Sequence, residues 1–305
     1  MSITMSRRMR NKLSPDGGVR VIPVPEYLAA RATGSLDGQA AFYKTLFLRN
    51  GVSKLTAEHR LDDLLPLLVK HAPSVRDDSF RVLDVGCSAG VSTVELHSAL
   101  IAAGLPACTT GTDLILHADY VVDSSGVGVL FDPDGAFIQI DIGRWATPWI
   151  WRRRDWVFRP LLSFRARQLA AGHLGKFQRA LHEAVPGYSH HAVPLTATTA
   201  EMAAGVRFQA EDIGSPTVTG PFAIIRAANI LNRGYFDSKA IRHMGELLTA
   251  RLIDGGLLAV VRSEPVTNVN RGTIFRRGRC GLEIVENLNG GSEVADLLAT
   301  VDVSG

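Results

Sequence analysis

Asp84-Val-Gly86-Cys87-Ser88-Ala-Gly90 sets an acid ahead of alternating small residues, between an apolar run and an amphipathic one. Small residues there let a ligand approach the backbone closely, and a helix N-terminus directs free N–H groups at it. Ala107 to Leu114 reads as a further strand, ending in Asp113. A lone Asp after a strand is commonly a turn residue. One placed about 20 residues beyond such glycines can accept hydrogen bonds from ribose hydroxyls, and this spacing favours that role. The chemistry is that of gripping a nucleoside-bearing cofactor at strand ends. The loop lacks G-x-G-x-x-G, so an NAD-dependent oxidoreductase is the weaker option.

The elements that must position these residues follow from periodicity. Residues 81–85 read as a buried strand, and Ser92 with Glu95 forms a capping box that opens the next helix. Val206 to Asp212 is a strand ending in acids, and Pro221 to Asn232 another. A helix over Lys239 to Ile253, a strand over 257–262 and a closing antiparallel pair at 272–276 and 281–285 complete the run. The alternation implies an α/β fold, a doubly wound parallel sheet with helices on both faces. Leu36 to His71 is helical in period, interrupted near Asn50-Gly51, with Leu61, Leu64, Leu65 and Leu68 as its stripe. These helices are expected to cover one sheet edge.

The acid-x-G-x-S-x-G loop resembles motif I of the class I S-adenosylmethionine (SAM) dependent methyltransferases. Its Gly-Cys-Ser-x-Gly form is similar to that of the chemotaxis-receptor glutamate methyltransferases. A second block, Phe222 to Asp237 and then Leu252 to Glu264, resembles the same enzymes, with Ala228 where Arg is usual. The likeness spans about residues 80–115 and 205–264. It implies a Rossmann-like methyltransferase core with SAM as cofactor. By that resemblance Asp84 lies close to the SAM ammonium, and Gly86, Cys87, Ser88 and Gly90 wrap the methionine half. Asp113 and Leu114 would hold the ribose side, Asp212 the adenine amine, and Ile213 the ring. Asn229 would face the sulfonium and is the one possible catalytic residue. Tyr43 and Lys54 are weak contributors to closing the site. His190, His191 and Tyr235 are unassigned as general base, which a carboxylate acceptor would not need.

The stretch 117–199 is too long for a plain connection and reads as an inserted hairpin and helical cap. Asp132-Pro-Asp-Gly135 is its hairpin turn, and Ala170, Leu174, Phe177 and Leu181 mark a helix within 161–184. All four tryptophans lie in 145–156, interleaved with arginines. Trp149, Trp151, Arg153 and Trp156 are expected to bind substrate as part of a lid; contact with an anionic membrane surface and a packed cap are the alternatives. The domain reading is a basic tail over 1–35, N-terminal helices over 36–75, the core over 78–116 and 200–305, and the cap over 117–199.

Bulk properties bound the rest. A 46% apolar, 21% charged chain of net charge +3 is ordinary for a globular protein and gives no nucleic-acid signature. Cys87, Cys108 and Cys280 have no metal-ligand spacing, and no metal is expected. There is no secretory h-region and no transmembrane run, so the expected location is cytoplasmic, with a membrane-peripheral location as the alternative. The expected activity is methyl transfer to an unidentified acceptor, a small molecule at oxygen or nitrogen. The alternatives are a SAM-binding or membrane-associated regulator without turnover, and a protein carboxyl O-methyltransferase.

Overall fold

Apolar residues at period two, covered from both sides, build the larger of two units. Strand β1 (Phe80–Val85) sends Val82 to one face and Leu83 and Val85 to the other. Strand β9 (Phe222–Ala228) is buried along its whole length, as a central parallel strand must be. The computed structural model describes residues 20–46, 48, 54, 58–75, 80–149, 173–264 and 267–301. They form two compact units, one from residues within 56–116 and 199–305, the other from residues up to 55 and within 117–198.

The larger unit holds a seven-stranded sheet in the order β12-β11-β10-β9-β1-β2-β8. Strands β8 (Val206–Ala210), β2 (Ala107–Asp113), β1, β9 and β10 (Leu252–Ser263) run parallel. Strands β11 (Asn270–Arg277) and β12 (Leu282–Leu288) close the edge antiparallel. The residues between β10 and β11 are too few for a parallel crossover, which takes a dozen or more. Strand β11 returns antiparallel beside β10, and among the described residues no helix lies between them. This is a doubly wound, Rossmann-like α/β fold whose strand order reverses between β1 and β9.

On one face lie α3 (Leu65–His71) and α4 (Val91–Ala102), with Leu61, Leu64, Leu68, Leu96 and Leu100 buried together. On the other, α7 (Ser238–Ala250) contributes Ile241, Met244 and Leu248. The Asp237 side chain caps α7 by accepting from the Ala240 N–H at 2.8 Å. The expected capping box of α4 does not form. Gly90 is the N-cap in a left-handed conformation, Ser92 is buried inside the helix, and Glu95 accepts from the His59 N–H instead. The helix after β9 stops at Ala250, short of Ile253, because Leu252 already pairs with Phe222 in the parallel ladder.

The smaller unit combines α1 (Val24–Ala32) and α2 (Leu36–Thr45) with a five-stranded antiparallel sheet, order β6-β5-β4-β3-β7. Its strands are β3 (His117–Asp123), β4 (Val127–Phe131), β5 (Phe137–Ile142), β6 (Trp145–Pro148) and β7 (Tyr188–Pro194). Asp132 folds the β4–β5 hairpin by accepting from the Asp134 and Ala136 N–H groups. Helix α5 (Leu174–Arg179) packs Phe177 among Val121, Val129, Phe131 and Ile140. Helices α6 (Thr198–Glu201) and α8 (Ala295–Leu298) are single turns. The helices before β1 thus divide: α1 and α2 belong with the smaller sheet, and only α3 lies on the larger one. Among the described residues no helix is long and apolar enough to cross a membrane.

Candidate functional site

Ligands of open α/β sheets bind outside the carboxyl ends of the strands where the strand order reverses. Here that point lies between β1 and β9. The loop 86–90 follows β1, Asp113 ends β2, and Asn229 follows β9. Two non-glycine residues there adopt left-handed backbone, Ser88 at φ 58° and Asn229 at φ 62°. Such conformations are uncommon and cluster at ligand sites.

The loop is pinned from beneath by β2. Gly86 and Cys87 donate their N–H groups to the Thr112 carbonyl at 2.7 and 2.9 Å, and the Ser88 N–H donates to Asp113 Oδ2 at 2.8 Å. Gly90 donates to the Cys87 carbonyl. The expected outward-facing N–H groups are therefore spent inside the protein at these positions. Both glycines have positive φ, and both are needed for packing. A Cβ at Gly86 would overlap the Ile230 side chain, and one at Gly90 would lie 2.7 Å from the Phe208 ring. Cys87 is buried and forms no disulfide.

Asp84 differs from its expected role. Its oxygens accept from Arg226 Nε and Nη2 at 2.8 and 2.7 Å, and Thr93 Oγ1 donates to Oδ2 at 2.5 Å. Side chains of the pair are almost wholly buried, and Arg226 Nη2 also donates to the Ser92 carbonyl. A buried Arg charge demands a carboxylate, so Asp84 braces β1 to β9 and α4 rather than facing a ligand ammonium. Burial, then the Arg226 charge, push the nearby Arg60 guanidinium below the usual arginine pKa. The signal for this pair was a charged residue within the apolar run Phe222 to Ala228.

Asp113 accepts from the Ser88 N–H through Oδ2 and from the Ile115 N–H through Oδ1. Leu114 beside it is 63% exposed, a large apolar side chain left open at a strand end. Asp212 lies two residues past β8, exposed, closing a turn through the Gly214 N–H. Ile213 packs partly against the core of the α7 face. Buried Glu211, the first of the two acids ending this segment, pairs with Arg251 and accepts from the Thr217 and Val218 N–H groups, fixing this loop.

Asn229 Oδ1 accepts from the Ser263 N–H at 2.8 Å. Its Nδ2 is buried and has no hydrogen-bond partner among the described residues. Tyr235, in the following loop, is exposed.

The remaining expected residues lie in the smaller unit. Tyr43 is buried beside Tyr27, and burial pushes its pKa up. Lys54 is buried. His190 pairs with Asp119 at 2.7 Å, and His191 is exposed. Trp149 stacks on Phe137 at 4.8 Å against the unit's apolar cluster, which is packing within that unit. Trp151, Arg153 and Trp156 lie outside the described residues. Among the described residues no group of three or more His, Cys, Asp or Glu could hold a metal ion.

No protein-family model and no curated protein matches the chain. Among solved structures it is similar to an N-methyltransferase from Bradyrhizobium japonicum WM9 in complex with S-adenosyl-L-homocysteine. The two are 14% identical over 72% of this chain and 70% of that one, with a TM-score of 0.33. A SAM-bound amino pentose methyltransferase from Micromonospora echinaspora is 14% identical over 80% and 79%, at TM-score 0.30. The CMeT domain of the citrinin polyketide synthase is 16% identical over 75% of this chain and 40% of that structure, at TM-score 0.32.

Proposed function

We propose that this chain is a SAM-dependent methyltransferase acting on a small molecule at an oxygen or nitrogen atom. The observation that carries the reading is the hydrogen bond from the Ser88 N–H to Asp113. It joins the glycine loop of β1 and the acid of β2 into one cradle beside the point where strand order reverses. The residues present suit that cofactor. Asp113 sets a carboxylate at the end of β2 where a ribose diol could donate to it, exposed Leu114 and half-buried Ile213 offer apolar surface to a purine, and Asp212 offers a carboxylate to its amine. The Nδ2 of Asn229, without a partner among the described residues, is a donor prepared for a ligand atom.

SAM supplies an electrophilic methyl group on a sulfonium. The protein's contribution is position: methyl transfer needs an in-line approach, and orienting two reactants supplies much of the rate. The buried Asp84–Arg226 pair serves this by fixing β1 against β9, so the two loops carrying Ser88 and Asn229 keep their spacing. Asp84 is withdrawn from contact with the cofactor's ammonium group.

Calorimetric titration with S-adenosylhomocysteine and with NAD tests the cofactor assignment, and transfer of labelled methyl from SAM into a fractionated host extract tests turnover. Binding of NAD without binding of S-adenosylhomocysteine would overturn the reading.

A further inference from the structure

We infer that Asn229 presents hydrogen-bond donors alone to an oxygen atom of the bound ligand, and that Ser263 and Asn270 lock it in that orientation. The inference rests on the methyltransferase reading and adds the chemical class of the atom met at this position.

A backbone N–H can only donate, so the Asn229 atom 2.8 Å from the Ser263 nitrogen is the amide oxygen. The NH2 group must then occupy the other position, where it is buried without a partner among the described residues. An amide free to rotate could offer either group. This one is not free. Its own N–H donates to the Val261 carbonyl at 2.8 Å, holding the residue in left-handed backbone against the end of β10.

Ser263 is fixed in turn. Its hydroxyl donates to Asn270 Oδ1 at 2.7 Å, and Asn270 Nδ2 donates to the Arg60 carbonyl and to Asp63 Oδ1 at 2.6 and 2.7 Å. Asn270 is buried, and both its amide ends are satisfied. The series Asp63–Asn270–Ser263–Asn229 therefore runs from the segment before α3 to the carboxyl end of β9, with Ser263 donating in both directions, through its hydroxyl to Asn270 and through its N–H to Asn229. At its end a donor is left over. A buried donor without a partner is costly, and an oxygen lone pair on a ligand would remove the cost. A ligand N–H would meet only another N–H there. The oxygen belongs either to the carboxylate of the cofactor's amino-acid half or to the methyl acceptor; the two are separable.

Calorimetry on wild type, Asn229→Gly and Asn229→Asp decides the matter. Glycine accepts the positive φ without strain while deleting the donor. Aspartate keeps an oxygen for the Ser263 N–H and places a second oxygen where the donor was. The probes are S-adenosylhomocysteine, 5′-methylthioadenosine (which lacks the amino-acid half), and benzoate or benzylamine added to the S-adenosylhomocysteine-loaded protein. If the oxygen is the cofactor's, both variants weaken S-adenosylhomocysteine about tenfold and leave methylthioadenosine unchanged. If it is the acceptor's, S-adenosylhomocysteine is unchanged and benzoate, but not benzylamine, weakens about tenfold. Asn270→Ala should weaken the same probe about threefold; equal weakening of every probe, methylthioadenosine included, overturns the locking role. Unchanged S-adenosylhomocysteine in both variants, with benzoate unbound or bound equally, overturns the donor inference and leaves the methyltransferase reading standing. A wild type that binds no S-adenosylhomocysteine removes both.

Discussion

Arg226 lies directly opposite Asp84 across the β1–β9 pairing, and its Nε and Nη2 grip both carboxylate oxygens at 2.8 and 2.7 Å. The pair sits on the α4 face, where Thr93 donates to Asp84 and the Ser92 carbonyl accepts from Arg226. Strand order reverses between these two strands, so the pair is a clamp beneath the crevice. Its position explains why an acid heads the glycine loop here without being available to a ligand.

Asp84→Ala should therefore act on stability first. It leaves the Arg226 charge buried and uncompensated, a loss of about 3–5 kcal/mol. Urea unfolding measures it. Asp84→Leu combined with Arg226→Met should recover much of that loss, because an apolar pair of similar volume needs no counter-charge. A single variant that loses less than about 1 kcal/mol would show that the pair is not the clamp described.

Gly86→Ala is expected to destabilise for two separable reasons. The residue sits at φ 74°, and its new Cβ would overlap the Ile230 side chain. The backbone part alone is about 1–2 kcal/mol. In an Ile230→Ala background the steric part should vanish and the backbone part remain. Additive losses in a thermal-unfolding cycle of the two substitutions would place Ile230 out of contact with this glycine.

What the sequence made legible was the period of the strands and the order of the motifs. The run 81–85 became β1, and the hairpin about Asp132 to Gly135 formed where turn chemistry put it. Partnerships across long separations were not legible. Arg226 lies 142 residues from Asp84 and Asn270 lies 207 from Asp63; no local period encodes either. Asp84 shows the consequence: its motif position suggested a ligand contact, while the arginine that claims it sat unremarked in an apolar strand. The capping box failed for a similar reason, since a glycine in left-handed backbone at position 90 starts the helix before Ser92 can cap it.

Asp113→Ala should weaken S-adenosylhomocysteine by about 1–3 kcal/mol, the range for a hydrogen bond to a charged group or a donor left bare. Part of this loss comes from releasing the Ser88 N–H and part from losing the ribose contact. A 2′,3′-dideoxyribose analogue separates them. If Asp113 meets the diol, the substitution costs less for that analogue than for the parent ligand. Equal costs for both would leave Asp113 as a brace for the loop alone.

Asp141 offers a test in the smaller unit that is independent of any ligand. Its carboxyl is buried in β5, accepting from the Val24 N–H at the start of α1 and from Gln139 Nε2, at 2.7 and 2.8 Å. Burial raises its pKa to about 7, although the bonds from Val24, Gln139 and Tyr120 oppose the rise. The native state therefore holds a proton that the unfolded chain has already lost above pH ~4. Where the native state binds more protons, stability falls as pH rises. The contribution should be fully present below pH ~4 and lost by pH ~7, amounting to roughly 4 kcal/mol on the scale of 1.36 kcal/mol per pH unit. Asp141→Asn removes the titration and keeps an oxygen for the Val24 N–H. Unfolding measured from pH 4 to pH 8 should show the variant gaining on wild type throughout the climb to neutrality and levelling beyond it. A constant difference between the two proteins over that interval would mean that Asp141 titrates as an ordinary exposed carboxylate.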